Sequence, residues 1–199
     1  MENLKTPYYS VLTIAGTDSG GCAGIQADIK SISACGAYAA SVITATTAQN
    51  TQGISDIHPL PILHIEKQLD AVLEDINFGA IKIGMLHSYE VIDAVAKKLN
   101  HYNFKNIVLD PVMVATSGDK LIVNNAISSL KAFLPKASLI TPNIPEAELL
   151  IDSAIELSDL DNVAREIGRL YRTSVLLKGG HLDALENEIT DTLYLNEND

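Results

Sequence analysis

An α/β fold, with a mostly parallel sheet and helices on both faces, is the class this sequence predicts. Three observations predict it. Short β-branched apolar runs alternate with longer runs of helical periodicity along the chain. The 199 residues, 47% hydrophobic and 20% charged, suit one globular domain over 1–199 with a real core. Polar residues or glycines stand directly after the strand-like runs, where a parallel sheet gathers its strands' carboxyl ends along one edge.

The first strand is SVLTIA (10–15). A glycine-rich loop follows, and Ile25, Ile29 and Ile32 then recur at helical spacing up to Gly36. SVITATTA (41–48) is β-branched and reads as one strand. Over 62–76, Ile62, Ile65, Leu69, Val72, Leu73 and Ile76 fall on one helical face. AIKIGM (80–85) is a strand, and Ser88 can cap a helix carrying Val91, Ile92, Val95, Ala96 and Leu99. NIVLD (106–110) is a strand, and 124–134 reads as a helix that stops at Pro135. SLIT (138–141) is a short strand, after which Pro145 opens a brief helix from a favourable first-turn position. Ser158 is placed to cap a helix with Leu160, Val163, Ala164, Ile167 and Leu170. SVLLK (174–178) and DTLYL (191–195) are the last strands.

A net charge of −11 with no Lys/Arg cluster argues against nucleic acid or an anionic membrane as the main partner. No apolar run approaches the roughly 20 residues of a membrane span. The opening MENLKTPYYS lacks the basic start and apolar core of a signal peptide, so a cytoplasmic location is expected. A helix over 24–36 would hold Cys22 and Cys35 on the order of 20 Å apart. A disulfide needs Cα atoms within about 7 Å, so both are expected as thiols. The histidines His58, His64, His87 and His101 show no mutual metal-ligand spacing and are expected to be surface or capping residues.

The loop AGTDSGGCAGIQAD (15–28) invites a phosphate-binding reading and fails both common patterns. The dinucleotide fingerprint needs glycines at its first, third and sixth positions. The third position from Gly16 is Asp18, and from Gly21 it is Ala23. A P-loop ends in Gly-Lys-Ser/Thr, whereas Gly24 is followed by Ile25 and Gln26. Backbone N–H groups at the following helix N-terminus could still hold a small ligand.

Six segments in order carry a more specific signal: TIAGTDSGGCAGIQADIKS, SVITATTAQNTQG, KIGML, VLDPVMVATSGD, LITPNIPEAELL and LLKGGH. Together, from about residue 10 to 195, they resemble the hydroxymethylpyrimidine/phosphomethylpyrimidine kinases of thiamine biosynthesis, in the ribokinase-like superfamily. The resemblance implies a three-layer α/β/α sandwich around a mostly parallel sheet, ATP and Mg²⁺ as cofactors, and a homodimer. It implies phosphoryl transfer to the hydroxymethyl group of 4-amino-5-hydroxymethyl-2-methylpyrimidine and then to the resulting monophosphate. Two departures stand out. Ser19-Gly20-Gly21-Cys22 replaces a usual Pro-Ser-Gly-Gly-like run, with the spacing to Gly24 and Asp28 kept. The sequence also stops at Asp199, before the Gly-Thr-Gly-Cys motif whose backbone forms the family's anion hole. The catalytic base and anion hole are therefore expected beyond residue 199, with the C-terminal segment of the fold lacking. The alternatives are a pyridoxine/pyridoxal kinase of the same superfamily, or a non-catalytic pyrimidine-binding protein if the chain ends at 199.

The resemblance implies a role for nine residues. Gly16, Asp28, Gln49, Met85 and Val112 match positions lining the pyrimidine pocket. A Gln49 amide pairs a donor with an acceptor, matching a ring nitrogen beside an amino group. Asp110, Asn143, Glu146 and Lys178 match positions serving ATP, with Asp110 and Glu146 near the metal and Lys178 a point charge for phosphate. On residue type alone each keeps a plainer reading. Gln49 reads also as a polar strand end, Asp28 as a first-turn acid, and Met85 and Val112 as core. Asp110 reads also as an Asp-Pro turn, Asn143 and Glu146 as helix-start residues, and Lys178 as a solvated lysine. No role is assigned to Cys22 or His181.

Overall fold

The computed structural model describes residues 9–113, 126–156, 159–180 and 189–196. Their elements run β1 (Ser10–Ala15), α1 (Gly24–Ala34), β2 (Tyr38–Ile43), β3 (Ala45–Asn50), β4 (Gly53–Pro59), α2 (Ile62–Leu73), β5 (Ala80–Ile83) and α3 (Tyr89–His101). They continue β6 (Ile107–Leu109), α4 (Ala126–Phe133), a 3₁₀ turn (Leu134–Lys136), β7 (Leu139–Ile140), α5 (Ile144–Ile151), α6 (Leu160–Tyr171), β8 (Ser174–Leu177) and β9 (Thr192–Tyr194).

Seven strands form one sheet in the order β2-β1-β5-β6-β7-β8-β9, all neighbours parallel except β8 and β9. The chain steps from β1 outward to β2, then crosses back to β5 and continues the other way. Right-handed crossovers therefore set α1 on the face opposite α2 and α3. The reversal between β1 and β5 is the switch point at which open α/β sheets hold ligands. Strand interiors supply the core: Leu12, Ile14, Ile81, Ile83, Leu109, Ile140, Val175 and Leu177 are fully buried. Ile65, Leu69, Val91, Val95 and Leu99 on α2 and α3 extend it.

Where the chain departs from its sequence pattern, a local bond explains the departure. The run 41–48 is two strands rather than one. Thr44, fully buried, donates its backbone N–H to Ala15 O at 3.0 Å and its hydroxyl to Met85 O at 2.9 Å. Those bonds turn the chain out of the main sheet at the carboxyl ends of β1 and β5. β3 then pairs antiparallel with β4, a strand whose Asp56, His58 and Pro59 hid it from a hydrophobic pattern. α2 stops at Leu73, short of Ile76, and α6 has Asp159 at its N-cap, while Ser158 lies outside the described residues. Residues 124 and 125 of the helix expected over 124–134, His181 and the whole VATSGD segment (114–119) also lie outside them. Cys22 and Cys35 are exposed free thiols.

Candidate active site

The glycine-rich loop folds around its own aspartate. Asp18 is only 2% exposed, and its carboxylate accepts the backbone N–H groups of Gly20 (2.8 Å), Cys22 (2.9 Å) and Ala23 (2.8 Å). An internal carboxylate thus occupies the anion-binding nest that such a loop builds at a helix start. The Asp18 N–H is held in turn by Gln26 Oε1 at 2.8 Å, fastening the loop to α1. Gly24, at φ +57°, leaves no room for a Cβ against the Gly16 carbonyl, so helix and loop meet backbone to backbone. Asp18 and Gln26 were not singled out from sequence. The signal was an aspartate followed by five small residues before a helix start, an arrangement in which the carboxylate can bond its own loop.

This loop forms one rim of a cleft of about 630 Å³, within the range of small-molecule sites. The cleft lies at the carboxyl ends of β1, β5 and β6, at the switch point. All nine residues singled out above line it: Gly16, Asp28, Gln49, Met85, Val112, Asp110, Asn143, Glu146 and Lys178. Thr47, Lys82 and Asp191 line it too, and sequence alone did not suggest them.

The hairpin of β3 and β4 delivers Gln49. The extra residue of its bulge, Ser55, sits on β4, so β3 keeps strict alternation and turns Thr47 and Gln49 to the same side. Gln49 is tied to the loop through Ser19, whose hydroxyl donates to Gln49 O at 2.6 Å and accepts from Gln49 N at 2.8 Å. The Thr47 hydroxyl reaches Thr17 O at 2.8 Å and the Gln49 side-chain oxygen at 3.2 Å. Met85 is nearly buried beneath Gly16, where a side chain in place of glycine would strike its methyl group. Asp28 receives the Thr13 hydroxyl at 2.6 Å and the Lys82 ammonium at 2.9 and 3.0 Å. These partners account for a part-buried acid that the helix dipole alone would not.

The far side of the cleft is charged. Asp110 follows β6 and pairs with Lys178 Nζ at 2.9 Å, with the Thr141 hydroxyl at 3.3 Å. Lys178 is held at the end of β8 by its N–H to Pro142 O at 2.9 Å. Asn143 and Glu146 form a capping box: Asn143 Oδ1 accepts from Glu146 N, and Glu146 Oε2 accepts from Asn143 N, both at 2.9 Å. Pro145 stands in the first turn, where its missing N–H costs nothing. Glu146 is 3% exposed, and burial, reinforced by the nearby Asp110, pushes its carboxyl up to about 7. Backbone N–H groups of Asn143 and Met113 and the charge of Lys178 oppose that rise. Such an acid, next to a second carboxylate, is relieved by a cation.

Among the described residues no group of three or more His, Cys, Asp or Glu could hold a metal ion by itself. Mg²⁺ fits the two carboxylates present none the less, since it is held by one or two carboxylates plus substrate phosphates and retained water. His87 differs from its surface expectation: its Nδ1 is buried without a partner, and burial lowers its basicity. No described helix is long and apolar enough to cross a membrane.

Residues 18–199 match the family described as phosphomethylpyrimidine kinase. A bifunctional thiamine-biosynthesis protein of Geobacter sulfurreducens is 50% identical over 196 residues, covering 96% of this chain but 40% of that protein. The hydroxymethylpyrimidine/phosphomethylpyrimidine kinase of Bacillus subtilis is 44% identical over 94% of this chain and 69% of its own. Among solved structures, the phosphomethylpyrimidine kinase of Clostridium difficile superposes with a TM-score of 0.86 at 46% identity, over 95% of this chain and 81% of that one. A Staphylococcus aureus pyridoxal kinase bound to pyridoxal reaches a TM-score of 0.83 at 33% identity, over 96% of this chain and 69% of that one.

Proposed function

Because the chain belongs to the phosphomethylpyrimidine kinase family, we propose that it phosphorylates 4-amino-5-hydroxymethyl-2-methylpyrimidine and then the resulting monophosphate, using ATP and Mg²⁺. The observation that carries this reading is the polarity of the cleft. One end is built for a neutral heteroaromatic alcohol and the other for charge, with the loop that resembles a phosphate cradle already filled by Asp18.

Phosphoryl transfer asks a protein chiefly for positioning and charge neutralisation. Gly16, Met85 and Val112 wall the acceptor end, and the Gln49 amide meets the ring's nitrogen and amino edge. Lys178 neutralises nucleotide phosphate, exchanging its present Asp110 partner for it. Asp110 and Glu146 would hold Mg²⁺, and Asn143 fixes Glu146 through the capping box. When bound, the ion supplies charge neutralisation across the phosphates. To serve such an ion, Glu146 would have to be ionised, its proton passing to solvent. The family resemblance also supports a homodimer in the cytoplasm; sedimentation of the full-length protein at twice its chain mass would bear out the dimer.

Calorimetry and turnover separate the two ends. Gln49→Ala weakens binding of the pyrimidine alcohol by about tenfold, the worth of roughly one hydrogen bond, and leaves ATP affinity unchanged. Asp110→Asn lowers turnover by at least about 100-fold while pyrimidine affinity holds. Equal losses for both ligands in Gln49→Ala, or wild-type turnover in Asp110→Asn, would contradict the assignment. A second reading, pyridoxal as the acceptor, draws on the likeness to the pyridoxal kinase, and faster turnover of pyridoxal than of the pyrimidine would favour it.

A further inference from the structure

The Gln49 amide has a neighbour that constrains it. Thr47, two residues back on the same side of β3 and only 8% exposed, lines the cleft with it. The Thr47 hydroxyl oxygen lies 2.8 Å from Thr17 O and 3.2 Å from Gln49 Oε1. A hydroxyl has one proton and two lone pairs, and both of these neighbours are acceptors. Thr17 O is the anchored one of the two. The Thr17 N–H donates to Ala45 O at 2.9 Å and its hydroxyl accepts the Thr47 N–H at 3.1 Å, so Thr17 runs beside β3 as a short extra rung. The nearer, anchored carbonyl takes the proton. The longer contact then sets oxygen lone pairs against oxygen lone pairs. A half-turn of the amide relieves it by bringing a Gln49 Nε2–H to the hydroxyl, since the bonds around an amide decide which end faces a partner. Among the described residues the Thr47 hydroxyl is the only bonded partner of that amide.

We propose that Thr47 holds the Gln49 amide with Nε2 toward itself, and so acts as the positioning residue that sets which acceptor ring the cleft takes. The inference rests on the pyrimidine reading of the site. A glutamine amide alone is an ambiguous reader. One way round, it gives a donor to a ring nitrogen and an acceptor to the neighbouring amino group. Turned over, it serves a ring N–H beside a carbonyl, the edge of the 4-oxo compound. Thr47 removes the ambiguity. Its proton is committed to Thr17 O, so it offers only lone pairs, and Nε2 must face it. The second Nε2 hydrogen then meets the ring nitrogen, and Oε1 meets the amino group. An oxo ring would force Oε1 back against the Thr47 oxygen, two acceptors with no proton between them. The ring gains no further contact; the discrimination sits one hydrogen bond behind Gln49.

The test is calorimetric, on full-length protein, with three ligands: the 4-amino alcohol, its 4-oxo analogue and the ATP analogue AMP-PCP. Wild type should prefer the amino over the oxo compound by at least about tenfold. Thr47→Val keeps the shape and removes the hydroxyl. It should lower the amino/oxo ratio by about tenfold, in part by binding the oxo compound more tightly than wild type does, with AMP-PCP affinity unchanged. Damage to the fold would weaken both alcohols and cannot imitate that gain. Thr47→Ser, which retains the hydroxyl, should keep the ratio within about threefold of wild type. Thr47→Ala carries the test if Thr47→Val does not fold. A wild-type ratio in a folded variant without the hydroxyl, or the same loss of ratio in Thr47→Ser, would overturn the inference and leave the kinase reading standing. Failure of the wild type to bind the amino alcohol would instead remove the pyrimidine reading and this inference with it.

Discussion

Two buried carboxylates of opposite behaviour govern the site at the scale of single residues. Asp18 is satisfied by three backbone N–H groups and holds a loop in shape. Asp18→Asn keeps one acceptor oxygen but turns an N–H toward N–H donors, so it should lower stability to urea by about 1–3 kcal/mol. It should also weaken the acceptor alcohol more than the nucleotide; wild-type stability would show that the nest is dispensable. Glu146 is the reverse case, an acid whose burial raises it from 4.5 to about 7. The folded state therefore binds this proton more tightly than the unfolded chain. The stabilisation is complete below about pH 4.5 and is lost as pH rises through about 7. Urea midpoints of the nucleotide- and metal-free protein should fall across that window, and Glu146→Gln should flatten the fall. An unchanged slope in Glu146→Gln would assign the pH dependence elsewhere.

Between elements, the close packing of the loop on α1 matters most. Gly24 sits at φ +57° with its Cα against the Gly16 carbonyl, so Gly24→Ala adds both left-handed strain and a collision. It should cost at least about 2 kcal/mol in urea unfolding and loosen the acceptor end, read as a raised KM for the alcohol. A neutral Gly24→Ala would mean that α1 can slide away from β1. At this scale the sequence was legible wherever periodicity was strong. β1, β5, β6 and β8 are recognisable as β-branched runs, and α3 announces itself through Ser88 and its apolar stripe. It was illegible where tertiary bonds overrode pattern. Nothing local to 41–48 says that Thr44 will bond to Ala15 and Met85 and split the run. β4 has too few apolar residues to signal a strand that pairs with only one neighbour.

Over the whole molecule, strand order does the work of assembling the site. Gly16, Met85, Asp110, Asn143 and Lys178 are spread over most of the chain and each follows a strand of the main sheet, while the separate β3–β4 hairpin brings in Gln49. A parallel sheet brings such positions to one edge by construction. That is why reading the residues at the strand ends already gathers Gly16, Gln49, Met85, Asp110, Asn143, Glu146 and Lys178 into one cleft, whereas Asp28 and Val112 came only from the family resemblance. The strand-end reading missed Lys82 because that residue sits inside a strand, although its ammonium lines the cleft beside Asp28. It placed Asp18 after β1 but gave it no role, because a carboxylate that binds its own loop has no distinguishing spacing partner elsewhere in the sequence. The cleft's division into an end for the aminopyrimidine alcohol and an end for the nucleotide's phosphates is the central claim about the protein. Phosphorus NMR of the full-length protein with ATP, Mg²⁺ and 4-amino-5-hydroxymethyl-2-methylpyrimidine tests it most directly. ADP together with a pyrimidine monophosphate and then a diphosphate is the expected result. ATP hydrolysed with no phosphorus reaching the pyrimidine, or pyridoxal phosphorylated faster in competition, would contradict it.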